Sequence, residues 1–96
     1  MDVILSRRAR FDLIDIQDYI ANDNPAAAAR VIDDMFAAFD TLAANPGIGH
    51  IRQDLTTRDV RFWTVHSYMI LYEISATRVN IARVLSGYRD IAALLD

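Results

Sequence analysis

The sequence has no cysteine and no lysine. The first absence excludes a disulfide scaffold, thiolate metal sites, iron–sulfur clusters and thiol catalysis. The second leaves all ten basic residues as arginine, against twelve aspartates and one glutamate, for a net charge of −3. Arginine alone suits planar, bidentate recognition of carboxylate or phosphate; a GC-rich genome produces the same bias. An acidic chain is a poor general nucleic-acid binder, because that affinity comes mainly from neutralising phosphates. Long apolar runs are missing too: none exceeds five residues, as at Tyr68–Tyr72, far below the roughly 20 that span a bilayer. The first residues, Met1–Arg8, lack a signal-peptide layout, since their short apolar run precedes the charges. The expectation is a cytoplasmic protein with no membrane partner. At 96 residues, a single domain over 1–96 is expected.

What is present is apolar bulk with clear periodicity. Of 96 residues, 51 are hydrophobic and 14 of those are alanine, which leaves enough large side chains for a two-layer fold. Val3-Ile4-Leu5 reads as a short strand. Ser6 is then placed to cap a helix from about Arg7 to Ala21, with Ala9, Leu13, Ile16 and Ile20 on its buried stripe. Asn24-Pro25 opens a second helix to about Ala44, striped by Ala28, Val31, Ile32, Met35, Phe39 and Leu42. The short break between them predicts an antiparallel helical hairpin. Asn45–His50 is a loop. Val60–Val65, Tyr68–Ser75 and Val79–Leu85 are β-branched and aromatic, with two-residue breaks at His66-Ser67 and Ala76-Thr77. A short helix is expected at Asp90–Leu95. The order β-α-α-β-β-β-(α) predicts an α+β fold, a small antiparallel sheet packed on one face by the N-terminal helical hairpin. Which strand Val3–Leu5 joins stays open.

Two-residue turns would set position 63 opposite 70, and 70 opposite 83. Alternation then gathers Val60, Phe62, Met69, Leu71, Ala82 and Val84, with Thr64, on one face, which is assigned to the helices. The other face collects Arg61, Trp63, Val65, Tyr68, Ile70, Tyr72, Ile81, Arg83 and Leu85. Two arginines in mid-sheet belong on an open face, or on one covered by a partner. Brought together there, they call for an anion or carboxylate between them; alternatively they snorkel over apolar neighbours. Phe11 and Ile14 lie off the helical stripe; if exposed, they form a contact patch for another chain, and the alternative is that they pack against the chain termini.

Other signals point to no chemistry. His50 and His66 have no carboxylate at ligand spacing, so no metal is expected. Asp33-Asp34 and Asp15/Asp18 sit on solvent faces. Gly47-Ile48-Gly49 lacks the rest of a phosphate loop, no nucleophile elbow or HExxH occurs, and no cofactor is expected.

In this order the residues match a known family nearly end to end. The pieces are Leu5-Ser6-Arg7-Arg8-Ala9 leading to Asp12-Leu13 and Ile16, Tyr19-Ile20, Asn24-Pro25-Ala26-Ala27, and Asn45-Pro46-Gly47-Ile48-Gly49. Arg52-Gln53-Asp54-Leu55, Tyr68–Tyr72 and Arg83-Val84-Leu85-Ser86-Gly87-Tyr88-Arg89-Asp90 follow. The chain resembles the ParE branch of the RelE/ParE toxins of bacterial type II toxin–antitoxin modules. The resemblance implies a small toxin held inactive by a ParD-like antitoxin of ribbon-helix-helix type, with DNA gyrase as target. The alternative is a RelE-like, ribosome-dependent mRNA endoribonuclease, with Arg61 and Arg83 as cations and Tyr88 as acid. The missing lysines and the net acidity favour the non-enzymatic reading. On it, Arg61, Trp63, Tyr68, Tyr72, Arg83, Tyr88, Phe11 and Ile14 are expected to bind antitoxin or target.

Overall fold

In the computed structural model, residues 1–54 and 56–87 are described. The predicted terminal helix at 90–95 and Tyr88 lie outside them.

The local signals act as expected. Ser6 Oγ accepts from Ala9 N at 3.0 Å and starts helix α1, Arg7–Ala21. Asn24 Oδ1 accepts from Ala27 N, and Pro25 occupies the first turn of helix α2, Pro25–Ala44. Three backbone bonds returning to Asp18 and Ile20 turn the chain between the helices. The strands are β1 (Asp2–Leu5), β2 (His50–Ile51), β3 (Arg61–Val65), β4 (Tyr68–Ile74) and β5 (Arg78–Ser86), with a 3-10 turn at Pro46–Ile48. They form one sheet of order β1-β5-β4-β3-β2. The α+β class and the helical hairpin stand. The sheet is mixed, because β1 enters beside β5 in parallel, Val3 opposite Val79; its other pairs are antiparallel. The two-residue strand β2 was too short to read from alternation.

The predicted register holds over most of the sheet and breaks at one point. Trp63 lies opposite Ile70, as expected. From the β4–β5 turn, Ile74 pairs Val79 and Tyr72 pairs Ile81; then a bulge intervenes, and Leu71 pairs Arg83 while Ile70 pairs Val84. Ala82 is the additional residue. Its environment explains it. At the end of β1, Ser6 N donates to Ile81 O and Ser6 Oγ donates to Ala82 O. Asp12 of α1 accepts from Val84 N. These bonds satisfy backbone groups that a regular ladder would have paired.

The face assignment reverses. Ile70, Tyr72, Val79, Ile81 and, past the bulge, Val84 form one cluster with Ala9, Leu13, Met35, Ala38, Phe39 and Leu42 of the helices. Trp63, Val65 and Tyr68 pack against it. Val60, Phe62, Leu71 and Leu85, with Met69, make a second cluster on the opposite face. The residues assigned to the helices by alternation therefore lie mostly away from them, and the face expected to be open is the one the helices cover. The reason is that β4 is apolar on both faces, so alternation alone could not say which was inward.

Candidate functional site

The arginine–aromatic face resolves into two internal anchors. Arg83 forms a bidentate pair with Asp12 of α1, Nε to Oδ2 at 2.8 Å and the terminal nitrogen to Oδ1 at 3.0 Å. Both side chains are only 14% exposed. Asp12 also accepts from Val84 N at 2.9 Å, so one carboxylate fastens the helix to the bulged strand through three bonds. The same bonds raise the Arg83 pKa further above its ordinary value, the hydrogen bond with Asp12 being the main cause. Arg83 stays charged at every working pH.

Arg61 is used at the other end of the sheet. Its guanidinium donates to Gly49 O at 3.1 Å and Gly47 O at 3.3 Å. Tyr72, opposite Arg61 on β4, is fully buried. Its hydroxyl donates to Pro46 O at 2.7 Å and accepts from Gly49 N at 2.9 Å. Burial pushes the phenol pKa up, partly offset by the Gly49 amide and the charge of Arg61. Glycine is required at 49 by this ring: a Cβ there would press on the hydroxyl and sit 2.7 Å from Cε1 and 2.9 Å from Cζ. Arg61 and Arg83 thus do not converge on an anion site. Each holds a different piece of the molecule, and Tyr72 presents no surface. Trp63 and Tyr68 are half-buried.

The other sequence-predicted residues divide similarly. Phe11 and Ile14 are exposed, at 53% and 50%, as the contact-patch reading required. The Arg7 guanidinium lies 5.7 Å from the Phe11 ring centre. His66 occupies a left-handed turn position, φ 55°, and its Nε2 lies 2.6 Å from Asp34 Oδ2 on α2. Among the described residues no group of three or more His, Cys, Asp or Glu could hold a metal. No helix among them is long and apolar enough to cross a membrane.

What the sequence reading missed is a groove of about 480 Å³ between β1, α1 and α2. β1 lines it with Val3, Ile4 and Leu5, α1 with Leu13 and Ile14, and α2 with Ile32 and Phe36. Arg10 and Gln17 are its polar members. Ile4, Ile14 and Phe36 are each 40% exposed or more. Among the described residues β1 is the outermost strand, and its Val3, Ile4 and Leu5 line the groove. The available signal was Phe36, an aromatic placed off the α2 stripe; paired with Ile14, it marks two helix flanks left apolar. Exposed apolar surface gathered at one place characterises a docking site.

Comparison with known proteins agrees with this architecture. The family described as "ParE toxin of type II toxin-antitoxin system, parDE" matches residues 3–91. The chain is 30% identical over 94 residues to Toxin ParE3 of Caulobacter vibrioides, covering 97% of this chain and 93% of that protein. A solved structure described as "Chromosomal ParDE TA system from P. aeruginosa" superposes with a TM-score of 0.74. It covers 90% of this chain and 95% of that one at 23% identity, a likeness of fold.

Proposed function

The chain belongs to the ParE family of type II toxin–antitoxin toxins, and we propose that it is a single toxin domain over 1–96 that inhibits DNA gyrase in the cytoplasm and is neutralised by a ParD-like, ribbon-helix-helix antitoxin. The observation that carries the antitoxin half is the apolar groove lined by β1, the outermost strand among the described residues. An amphipathic segment laid there would bury Ile4, Ile14 and Phe36, and each large side chain removed from water contributes about 1–2 kcal/mol. Phe11, on the exposed side of α1, extends the same contact. Trp63, Tyr68 and Tyr88 remain assigned to the target.

The gyrase half rests on the family and on what the arginines already do. Metal-free RNA cleavage needs cations free to meet the phosphorane charge. Arg83 holds Asp12 and Arg61 holds two loop carbonyls, which favours a toxin that works by protein contact. A supercoiling assay with purified toxin and gyrase tests this reading. Supercoiling should stop with toxin and resume when antitoxin is added. Full supercoiling together with cleavage of translated mRNA would establish the RelE-like alternative instead.

A further inference from the structure

We infer that Arg10 is the specificity-determining residue of the groove, selecting partner segments that place a carboxylate against it while their apolar residues fill the slot. The inference rests on the antitoxin reading above and adds the residue that sorts one antitoxin from another. The groove is otherwise nearly uniform: among the described residues that line it, Arg10 is the one charged member and Gln17 the only other polar one. An apolar slot discriminates weakly, since a methylene more or less changes binding by only about five- to tenfold. A charge held at a fixed point on the wall discriminates more, because a mispaired or like charge is penalised as the interface closes.

Three observations make Arg10 available for this role. No ion pair or hydrogen bond engages its side chain among the described residues, whereas Arg52, Arg58, Arg61 and Arg83 all have acceptors there. Arg7 lies about one helical turn before it, and the first turn of α1 contains no acid, so Arg10 has no acidic neighbour in that turn. The protein as a whole carries −3, so an exposed, unpaired arginine is a local positive point on a net acidic chain. The fitting occupant is therefore an amphipathic acidic segment whose carboxylate is in register with its apolar anchors. A basic or neutral amphipathic segment would bury the same area without the charge contact.

The experiment measures binding of the antitoxin encoded beside this chain to wild type, Arg10→Met and Arg10→Glu, by calorimetry at low and moderate salt. Arg10 is exposed, so the variants should keep the wild-type melting temperature, checked by circular dichroism. Arg10→Glu should weaken binding roughly 10- to 100-fold, and Arg10→Met less, with a flatter salt dependence. Charge reversal of single acidic residues in the antitoxin should find one position that restores binding to Arg10→Glu while weakening wild type. Equal losses for Met and Glu with unchanged salt dependence would mean that only the methylene stem matters, and would overturn the inference. So would wild-type affinity in Arg10→Glu. If wild-type toxin itself fails to bind this antitoxin, the antitoxin reading falls, and the inference with it.

Discussion

The two edges of the sheet are finished in opposite ways. At the β2 edge, the Pro46–His50 segment is braced from inside: Tyr72 bonds Pro46 and Gly49, and Arg61 bonds Gly47 and Gly49. At the β1 edge, the strand lines a groove with apolar walls and one arginine that has no partner among the described residues. The Tyr72 hydroxyl is thus fully engaged in holding the first edge, and Arg61 commits one terminal nitrogen to it. Ordinary aliphatic residues and Phe36 line the second, where Ile4, Ile14 and Phe36 stay exposed. An arginine beside aromatic rings marks a binding face only when its donors are free.

Substitutions can break this contrast selectively. The largest effect is expected from Asp12→Ala, which leaves the Arg83 guanidinium without its partner and Val84 N without its acceptor. Stranding a partly buried guanidinium together with a backbone N–H costs about 2–4 kcal/mol, measurable by urea denaturation. Because Asp12 fastens α1 to β5, the groove wall loses its seat, and antitoxin affinity should fall with stability. Gly49→Ala probes the braced edge. The added methyl collides with the Tyr72 ring, and overpacking of this kind costs about 1–3 kcal/mol. Here antitoxin affinity should stay at the wild-type level at temperatures where the protein is folded. A parallel loss of affinity would mean that the edges are not independent.

The smallest effect is a pH dependence. The folded-state pKa of Tyr72 lies above its ordinary value because of burial. Below the ordinary tyrosine value of about 10 both folded and unfolded chains keep the proton, and the contribution is fully present. Above it the unfolded chain deprotonates first, so stability declines with rising pH by up to about 1.4 kcal/mol per unit until the folded pKa is passed. Tyr72→Phe should lose about 1–3 kcal/mol at neutral pH, from the unsatisfied Pro46 carbonyl and Gly49 amide. It should also flatten the alkaline decline seen in wild type by denaturation at pH 9 to 11. An unchanged decline would assign it to other groups.

Much of the architecture was legible because it is written locally. Ser6 and Asn24 cap the helices they were expected to cap, and the His66-Ser67 and Ala76-Thr77 turns fix the strand pairs next to them. The bulge at Ala82 was not legible, because its causes are distant in sequence: Ser6 and Asp12 come from the first fifteen residues, and β5 from the last twenty. That one residue moved Val84 to the helix side and displaced Arg83 from its expected partner. The arginines then misled the face assignment. Arg61 stands at the start of β3, where its long side chain reaches the loop, and Arg83 is neutralised by a carboxylate brought in from α1. Phe11 and Ile14 were legible as exposed because the α1 stripe is clean. The groove was not, since it needs two helices and a strand to be placed together.

The most direct test is hydrogen–deuterium exchange across the toxin, free and bound to its antitoxin. New protection is expected in β1 and along the groove-lining residues of α1 and α2, around Ile4, Ile14 and Phe36, with β3 and the Pro46–His50 loop unchanged. Protection centred on β3 and β4, around Arg61, Trp63 and Tyr68, with β1 exchanging as freely as before, would contradict it.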